Sequence, residues 1–101
     1  MARRIRWSPR AANDRIQILE YWIERNKSTT YSRNLNRLIN NAVQLISERP
    51  NIGRQTDHLN VRIKIVKDYL IYYRIKDDVL EIITLWDGRR NPDILQRLLK
   101  E

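Results

Sequence analysis

Between the short segments at its two ends, the chain changes the spacing of its apolar residues once, near Pro50, and that change constrains the fold more than any other feature. Before Pro50, apolar side chains recur every three or four residues, as on one face of an α-helix. After it they alternate with polar side chains, as in strands covered on one side. A chain of 101 residues with 42% hydrophobic residues has room for one core. The sequence therefore predicts a single α+β domain over residues 1–101.

A short strand and a helix are predicted at the start of the chain. Residues 3–7 alternate cations with apolar residues, which is typical of a half-covered strand. Ser8 and Pro9 then form a helix start, because serine is a good N-cap and proline suits the first helical position. This helix should run to about Asn26. Its predicted core-facing stripe consists of Ala12, Ile16, Leu19 and Ile23, with Trp22 beside it.

A second helix is predicted between a polar cap at residues 28–30 and Pro50, because the residue before proline avoids helical geometry. The short connection between the two helices predicts an antiparallel hairpin. The apolar positions of the second helix are Tyr31, Leu35, Leu38, Ile39, Ala42, Val43, Leu45 and Ile46.

The second half of the chain predicts a three-strand meander. Lys67-Asp68 and Asp77-Asp78 mark its two reversals. With the first strand, the meander should form an antiparallel sheet on which the helix hairpin packs. Residues 50–60 are predicted to be a loop, and Asn91-Pro92 to begin a short C-terminal helix. The predicted strands cover residues 61–65, 69–75 and 79–86.

Strand alternation predicts which side chains face the helices and which face away. The apolar set is expected under the helices: Val61, Ile63, Ile65, Tyr69, Ile71, Tyr73 and Ile75. Arg62, Lys64, Leu70, Tyr72 and Arg74 should then share the opposite face, within reach of Arg89 and Arg90. Cations around an exposed tyrosine would suit a phosphate backbone and a stacked base. The same pattern also fits an ordinary solvated face, with Arg74 opposite Glu81 and Tyr72 opposite Ile83.

The charge of the chain favours an anionic partner. Twenty Lys and Arg residues against twelve Asp and Glu residues give a formal net charge of +8. Fifteen of the cations are arginines, and the planar guanidinium is well suited to phosphate and carboxylate. We expect a nucleic acid or an acidic protein segment as the partner.

Several classes of protein are excluded by residues that the chain lacks. Without cysteine there are no disulfides, thiolate metal sites or cysteine nucleophiles, and one histidine cannot build a multi-histidine site. Two glycines cannot make a glycine-rich phosphate loop. No apolar run approaches the roughly 20 residues of a membrane span. We therefore expect a cytoplasmic protein without metal or cofactor. His58, beside Asp57 in the predicted loop, could be a general acid or base or simply a solvated side chain.

Six segments, taken in order, resemble the RelE/ParE superfamily of toxins from type II toxin–antitoxin systems, and the resemblance covers nearly the whole chain. It implies a compact toxin neutralised by a cognate antitoxin, often encoded in a module that stabilises a plasmid or chromosomal region. The segments are WSPRAA (7–12), ILEYW (18–22), RPNIGR (49–54), VR (61–62), DYLIYYRI (68–75) and WDGRRNP (86–92).

The superfamily has two main activities, and the resemblance implies different residues for each. RelE-like members cut mRNA in the ribosome, and Arg62, Lys64 and Arg89 match basic positions of their site. Leu70, however, stands where they carry a further arginine, and no Tyr or His follows Asp87. ParE-like members instead poison DNA gyrase, and their segments are similar to residues 73–75 and 88–90.

The ParE-like interpretation is therefore preferred, with RelE-like mRNA cleavage as the alternative. A non-toxic basic module that only binds nucleic acid is a second alternative. The charge further predicts that the antitoxin covers Arg62, Lys64 and Arg74 and associates more slowly at high salt. An association rate independent of salt would instead indicate an interface on the apolar helix surfaces.

Overall fold

The computed structural model describes residues 3–58 and 60–89. In chain order these form β1 (Arg4–Trp7), α1 (Pro9–Asn26), α2 (Thr30–Glu48), a 3₁₀ turn (Pro50–Ile52), β2 (Arg54–Gln55), β3 (Arg62–Val66), β4 (Tyr69–Lys76) and β5 (Val79–Asp87). The two helices pack on one face of a five-stranded sheet, so the predicted α+β fold is confirmed. The predicted C-terminal helix lies outside the described residues.

Helix α1 begins and ends where the sequence predicts. The Ser8 hydroxyl accepts the Ala11 amide at 3.0 Å, and Pro9 occupies the first turn. The C-cap Lys27 adopts a left-handed conformation, which stops the helix after Asn26.

The predicted core stripe of α1 is confirmed at Leu19 and Trp22 but is wrong at its other three positions. Ala12, Ile16 and Ile23 are exposed, with Ile16 at 55%. The covered face is rotated toward Ala11, Ile18 and Trp22, with Leu19 half-buried at its border. That rotation follows from an anchor outside the apolar pattern: the Asp14 carboxylate accepts hydrogen bonds from the Thr84 hydroxyl (2.6 Å) and the Leu85 amide (3.3 Å) of β5.

Helix α2 matches its predicted pattern except at Leu45, which is 38% exposed. It ends at Glu48, before Pro50, and buries the stripe that includes Leu35, Ile39, Val43 and Ile46. It packs against α1 as the second arm of the hairpin, where the Ser32 hydroxyl donates to the Leu19 carbonyl. Neither helix is apolar enough over a sufficient length to cross a membrane.

The sheet is mixed rather than antiparallel, with strand order β1-β5-β4-β3-β2. Strands β2 to β5 pair antiparallel, but β1 pairs parallel with β5, because the α1–α2 hairpin and the meander return the chain beside its start. The predicted loop at 50–60 also contains β2, which pairs Arg54 and Gln55 with the start of β3. A two-residue strand is too short for sequence alternation to reveal.

The predicted placement of β3 is also wrong. The Lys67-Asp68 turn pairs Val66 with Tyr69 and Arg62 with Tyr73, so odd-numbered residues of β3 pair with even-numbered residues of β4. Paired residues share a face. Val61 and Ile63 therefore pack with Tyr72 and Trp86 away from the helices, and Ile65 is exposed.

The predicted pairing of Arg74 with Glu81 is confirmed, but that of Tyr72 with Ile83 is wrong. Ile83 is the extra residue of a bulge in β5, and Tyr72 pairs with Thr84 instead. The Ser8 hydroxyl donates to the Ile83 carbonyl at 2.8 Å, which ties the start of α1 to the bulge.

Candidate functional site

The predicted basic face is divided between the two sides of the sheet. Arg62 and Lys64 pair with Tyr73 and Ile71, which belong to the core under the helices. Tyr72 lies on the other side, and Arg74 lies there too, opposite Glu81. The odd–even pairing of β3 and β4 causes this separation. Arg90 lies outside the described residues.

Arg62 is half-buried, and its guanidinium binds the backbone at residues 51–53. Its Nη1 donates to the Gly53 carbonyl at 2.7 Å and to the Asn51 carbonyl at 3.2 Å. Both acceptors are neutral. Among the residues that the structure describes, no carboxylate forms an ion pair with Arg62. Its positive charge is therefore oriented but not compensated by a protein anion.

Tyr73 holds the same segment, residues 50–53, through its side-chain hydroxyl. Its hydroxyl donates to the Pro50 carbonyl at 2.7 Å and accepts the Gly53 amide at 3.0 Å. A side chain at Gly53 would collide with the Tyr73 ring and come within 2.9 Å of the Ile63 carbonyl. The close approach of this backbone to Tyr73 thus requires glycine.

Tyr72 is not the exposed stacking ring that the sequence predicts. It is buried against Val61 and Trp86, and burial raises the pKa of its hydroxyl. At neutral pH it is protonated, which makes it a poor general base.

A cleft of about 430 Å³ lies where β4 runs past the first residue of β3. Arg62 and Arg74 both line it. Arg74 Nε donates to Glu81 Oε1 at 2.7 Å, which fixes the second guanidinium as the carbonyls fix the first. His58 and Asp57 also line the cleft, so the candidate His58 shares it with the two arginines.

Arg89 lies at the other end of the sheet. Its Nε and Nη2 donate to the two carboxylate oxygens of Asp87 at 3.0 and 2.9 Å. The hydrogen bonds and charge of Asp87 raise the pKa of Arg89, which is exposed. Asp87 pairs with Tyr69, whereas Arg62 pairs with Tyr73. Four residues of strand separate these positions, roughly 13 Å.

The sequence did not single out three other cations on the side of the sheet away from the helices. Arg4 and Lys76 flank Val79, while Arg6 and Arg74 flank Glu81. The Asp77-Asp78 turn places Lys76 opposite Val79. Placing β1 parallel beside β5 would then have brought Arg4 and Arg6 to the same face. Within residues 3–58 and 60–89, no group of three or more His, Asp or Glu side chains could hold a metal ion.

Comparison with known proteins gives one family and one fold. Residues 5–92 match the family model described as ParE toxin of the type II toxin–antitoxin system, parDE. No match was found among curated proteins. Among solved structures, the fold is similar to a chain of the chromosomal ParDE toxin–antitoxin system from P. aeruginosa. That match has a TM-score of 0.71 and 16% sequence identity, and it covers 83% of this chain and 94% of the other.

Proposed function

Because this chain belongs to the ParE toxin family of type II toxin–antitoxin systems, we propose that it arrests growth by acting on DNA gyrase in the cytoplasm. The observation that carries the choice of target is the separation of Arg62, Lys64 and Arg89. A ribonuclease of the RelE kind needs preorganised cations around one phosphodiester. Here Arg62 and Arg89 lie at opposite ends of the sheet.

Their hydrogen bonds support the same choice. Arg62 is bound to two backbone carbonyls, and Arg89 is bound to both oxygens of Asp87. Moving either onto a shared phosphate would break those bonds first.

Few groups could activate the 2′-hydroxyl of RNA. His58 lines the cleft that Arg62 and Arg74 also line, but Arg89 is not among the residues that line it. Tyr72 is buried with a raised pKa, and Glu81 accepts a hydrogen bond from Arg74. Residues 90–101 contain neither Tyr nor His. These features favour a toxin that acts by binding its target rather than by cutting RNA.

The target is tested by placing two assays side by side. Purified toxin is added to gyrase supercoiling and DNA-cleavage reactions, and to ribosomes on a defined mRNA followed by primer extension. We expect inhibition of supercoiling or trapped cleavage complexes, and an intact mRNA. Efficient mRNA cleavage abolished by Arg62→Ala or Arg89→Ala would overturn the proposal, as would inactivity in both assays.

The cognate antitoxin is expected to cover the exposed apolar stripe of α1. Ile16 is 55% exposed and Ile23 is 38% exposed, and Ala12 extends the same stripe. Exposed apolar side chains aligned along one helix suit a partner that buries them. This surface is the apolar alternative to the predicted docking over Arg62, Lys64 and Arg74.

Substitution on the stripe tests the antitoxin surface. The double variant Ile16→Glu/Ile23→Glu should weaken binding of the adjacent gene's product at least tenfold, a loss of about 1.4 kcal/mol or more. Asn34→Glu, at an exposed position of α2, is the matched control and should bind normally. Unchanged affinity in the double variant would move the interface elsewhere.

A further inference from the structure

The cleft beside β4 has the properties of an anion site that neither the toxin family nor the proposed gyrase target accounts for. Arg62 and Arg74, which lie on opposite faces of the sheet, both line one cavity of about 430 Å³, a volume within the usual range for small-molecule sites. We infer that this cleft binds the phosphate of a nucleotide, either free or as part of a nucleic-acid strand.

The two arginines are already held in position. Arg62 Nη1 is bound to the Gly53 and Asn51 carbonyls, and Arg74 Nε is bound to Glu81. Each guanidinium has five N–H donors in a planar fork, so each keeps donors for a phosphate oxygen. Because their orientation is fixed by the fold, little side-chain entropy is lost when a ligand binds.

Among the residues that line the cleft, the arginines outnumber the carboxylates two to one. Arg62 has only neutral acceptors among the described residues, so its charge is available to a ligand. Glu81 is paired with Arg74, and Asp57 is the carboxylate among the residues that line the cleft. Asp57 is exposed, so water screens its repulsion of a phosphate more than it would at a buried position.

The remaining lining suits a nucleotide better than a bare phosphate ion. Asn51, Gln55 and Asn60 present amide side chains, which both donate and accept hydrogen bonds. Sugar hydroxyls and base edges need that combination. Tyr73 also lines the cleft, but its hydroxyl is bound to Pro50 and Gly53. The cleft thus offers hydrogen bonds rather than an aromatic platform.

Calorimetric titration of the isolated toxin at low salt tests the site. The probes are inorganic phosphate, thymidine 5′-monophosphate and an oligothymidylate of about 12 nucleotides. We expect saturable binding of the monophosphate or the oligonucleotide, tighter than that of inorganic phosphate. Tighter binding of the monophosphate identifies a free nucleotide as the source, and tighter binding of the oligonucleotide identifies a strand. Absence of saturable binding for all three probes would overturn the inference.

Four variants separate the cleft from the general charge of the protein. Arg62→Lys and Arg74→Ala should each weaken binding about tenfold, whereas Asp57→Asn should strengthen it. The matched control is Arg37→Ala, which removes one charge from an exposed position of α2. Thermal melts identify any variant that is not folded, and Arg62→Lys retains a donor for the loop carbonyls. An equal loss of affinity in Arg37→Ala would show charge alone and refute the site. A negative gyrase assay would leave this result unaffected.

Discussion

The two ends of the sheet hold their arginines in opposite ways. At the cleft end, where β3 begins, Arg62 is half-buried and bound to neutral carbonyls. At the turn end, near Lys67-Asp68, Arg89 is exposed and bound to both oxygens of Asp87. Arg62 is thus fixed without an ion pair to any carboxylate in residues 3–58 and 60–89, and Arg89 is neutralised by its neighbour. The difference shows that a count of cations does not identify an anion site.

Replacing Gly53 and Gly88 by alanine should give the largest difference in stability between the two ends. Gly53→Ala at the cleft end should destabilise the protein by about 2–3 kcal/mol, because the new Cβ collides with Tyr73 and approaches the Ile63 carbonyl. Among the residues that the structure describes, a Cβ in Gly88→Ala at the turn end meets only the Asp68 carbonyl, at 3.2 Å, and the substitution should cost less than about 1 kcal/mol. Chemical denaturation of both variants measures the difference. Equal losses would mean that the cleft end is not the tighter one.

Removal of one tyrosine hydroxyl at each end should have a smaller effect. Tyr73→Phe leaves the Gly53 amide and the Pro50 carbonyl without their partner, so we expect a loss of about 1–3 kcal/mol. Tyr69→Phe removes only the acceptor of the Trp22 indole at 2.7 Å, with an expected loss of about 1 kcal/mol. Urea unfolding measures both values, and a larger loss in Tyr69→Phe would reverse the comparison.

The arginines themselves should differ less. Arg62→Ala breaks two hydrogen bonds to the segment before β3 and should cost about 1 kcal/mol. Arg89→Ala should leave the melting temperature unchanged, because the residue is exposed and its ion pair lies in water. A measurable drop in the Arg89 variant would indicate a structural role for the Asp87 pair.

Alkaline pH should give the smallest effect. Burial raises the pKa of Tyr69, Tyr72 and Tyr73, so above about pH 10 the unfolded chain loses these protons before the folded chain does. The stability that they contribute is complete below about pH 9 and declines as the pH rises. Unfolding titrations from neutral to alkaline pH should show this decline, and Tyr73→Phe should reduce it. A flat profile would contradict the burial of the hydroxyls.

Much of the fold could be predicted from local signals. Ser8 and Pro9 gave the start of α1, Pro50 the end of α2, and the two Asp-containing turns the meander, because caps and turns depend on neighbouring residues. The covered face of α1 could not be predicted, because a polar anchor, Asp14 bound to Thr84, sets its rotation. The parallel pairing of β1 with β5 could not be predicted either, since it joins residues far apart in the chain.

The candidate site was predicted less well, although part of the error was avoidable. A two-residue turn at Lys67-Asp68 always pairs an odd-numbered residue with an even-numbered one, which places Arg62 and Tyr72 on opposite faces. The bulge at Ile83, by contrast, could not be predicted, because the alternation of side chains in β5 does not indicate it. The role of Arg62 in holding the Gly53 carbonyl also depends on a contact that strand spacing does not reveal.

The position of β5 has a consequence for how the protein is made. This strand lies between β1 and β4, and its Ile83 carbonyl bonds to Ser8, 75 residues earlier in the chain. During synthesis β1 therefore has no strand partner until β5 has emerged, although the α1–α2 hairpin and the β3–β4 hairpin can form from local contacts. A shortened chain that lacks β5 would contain the helices and most of the cations but no complete sheet. The sheet on which α1 and α2 pack is thus completed only after β5 has been synthesised.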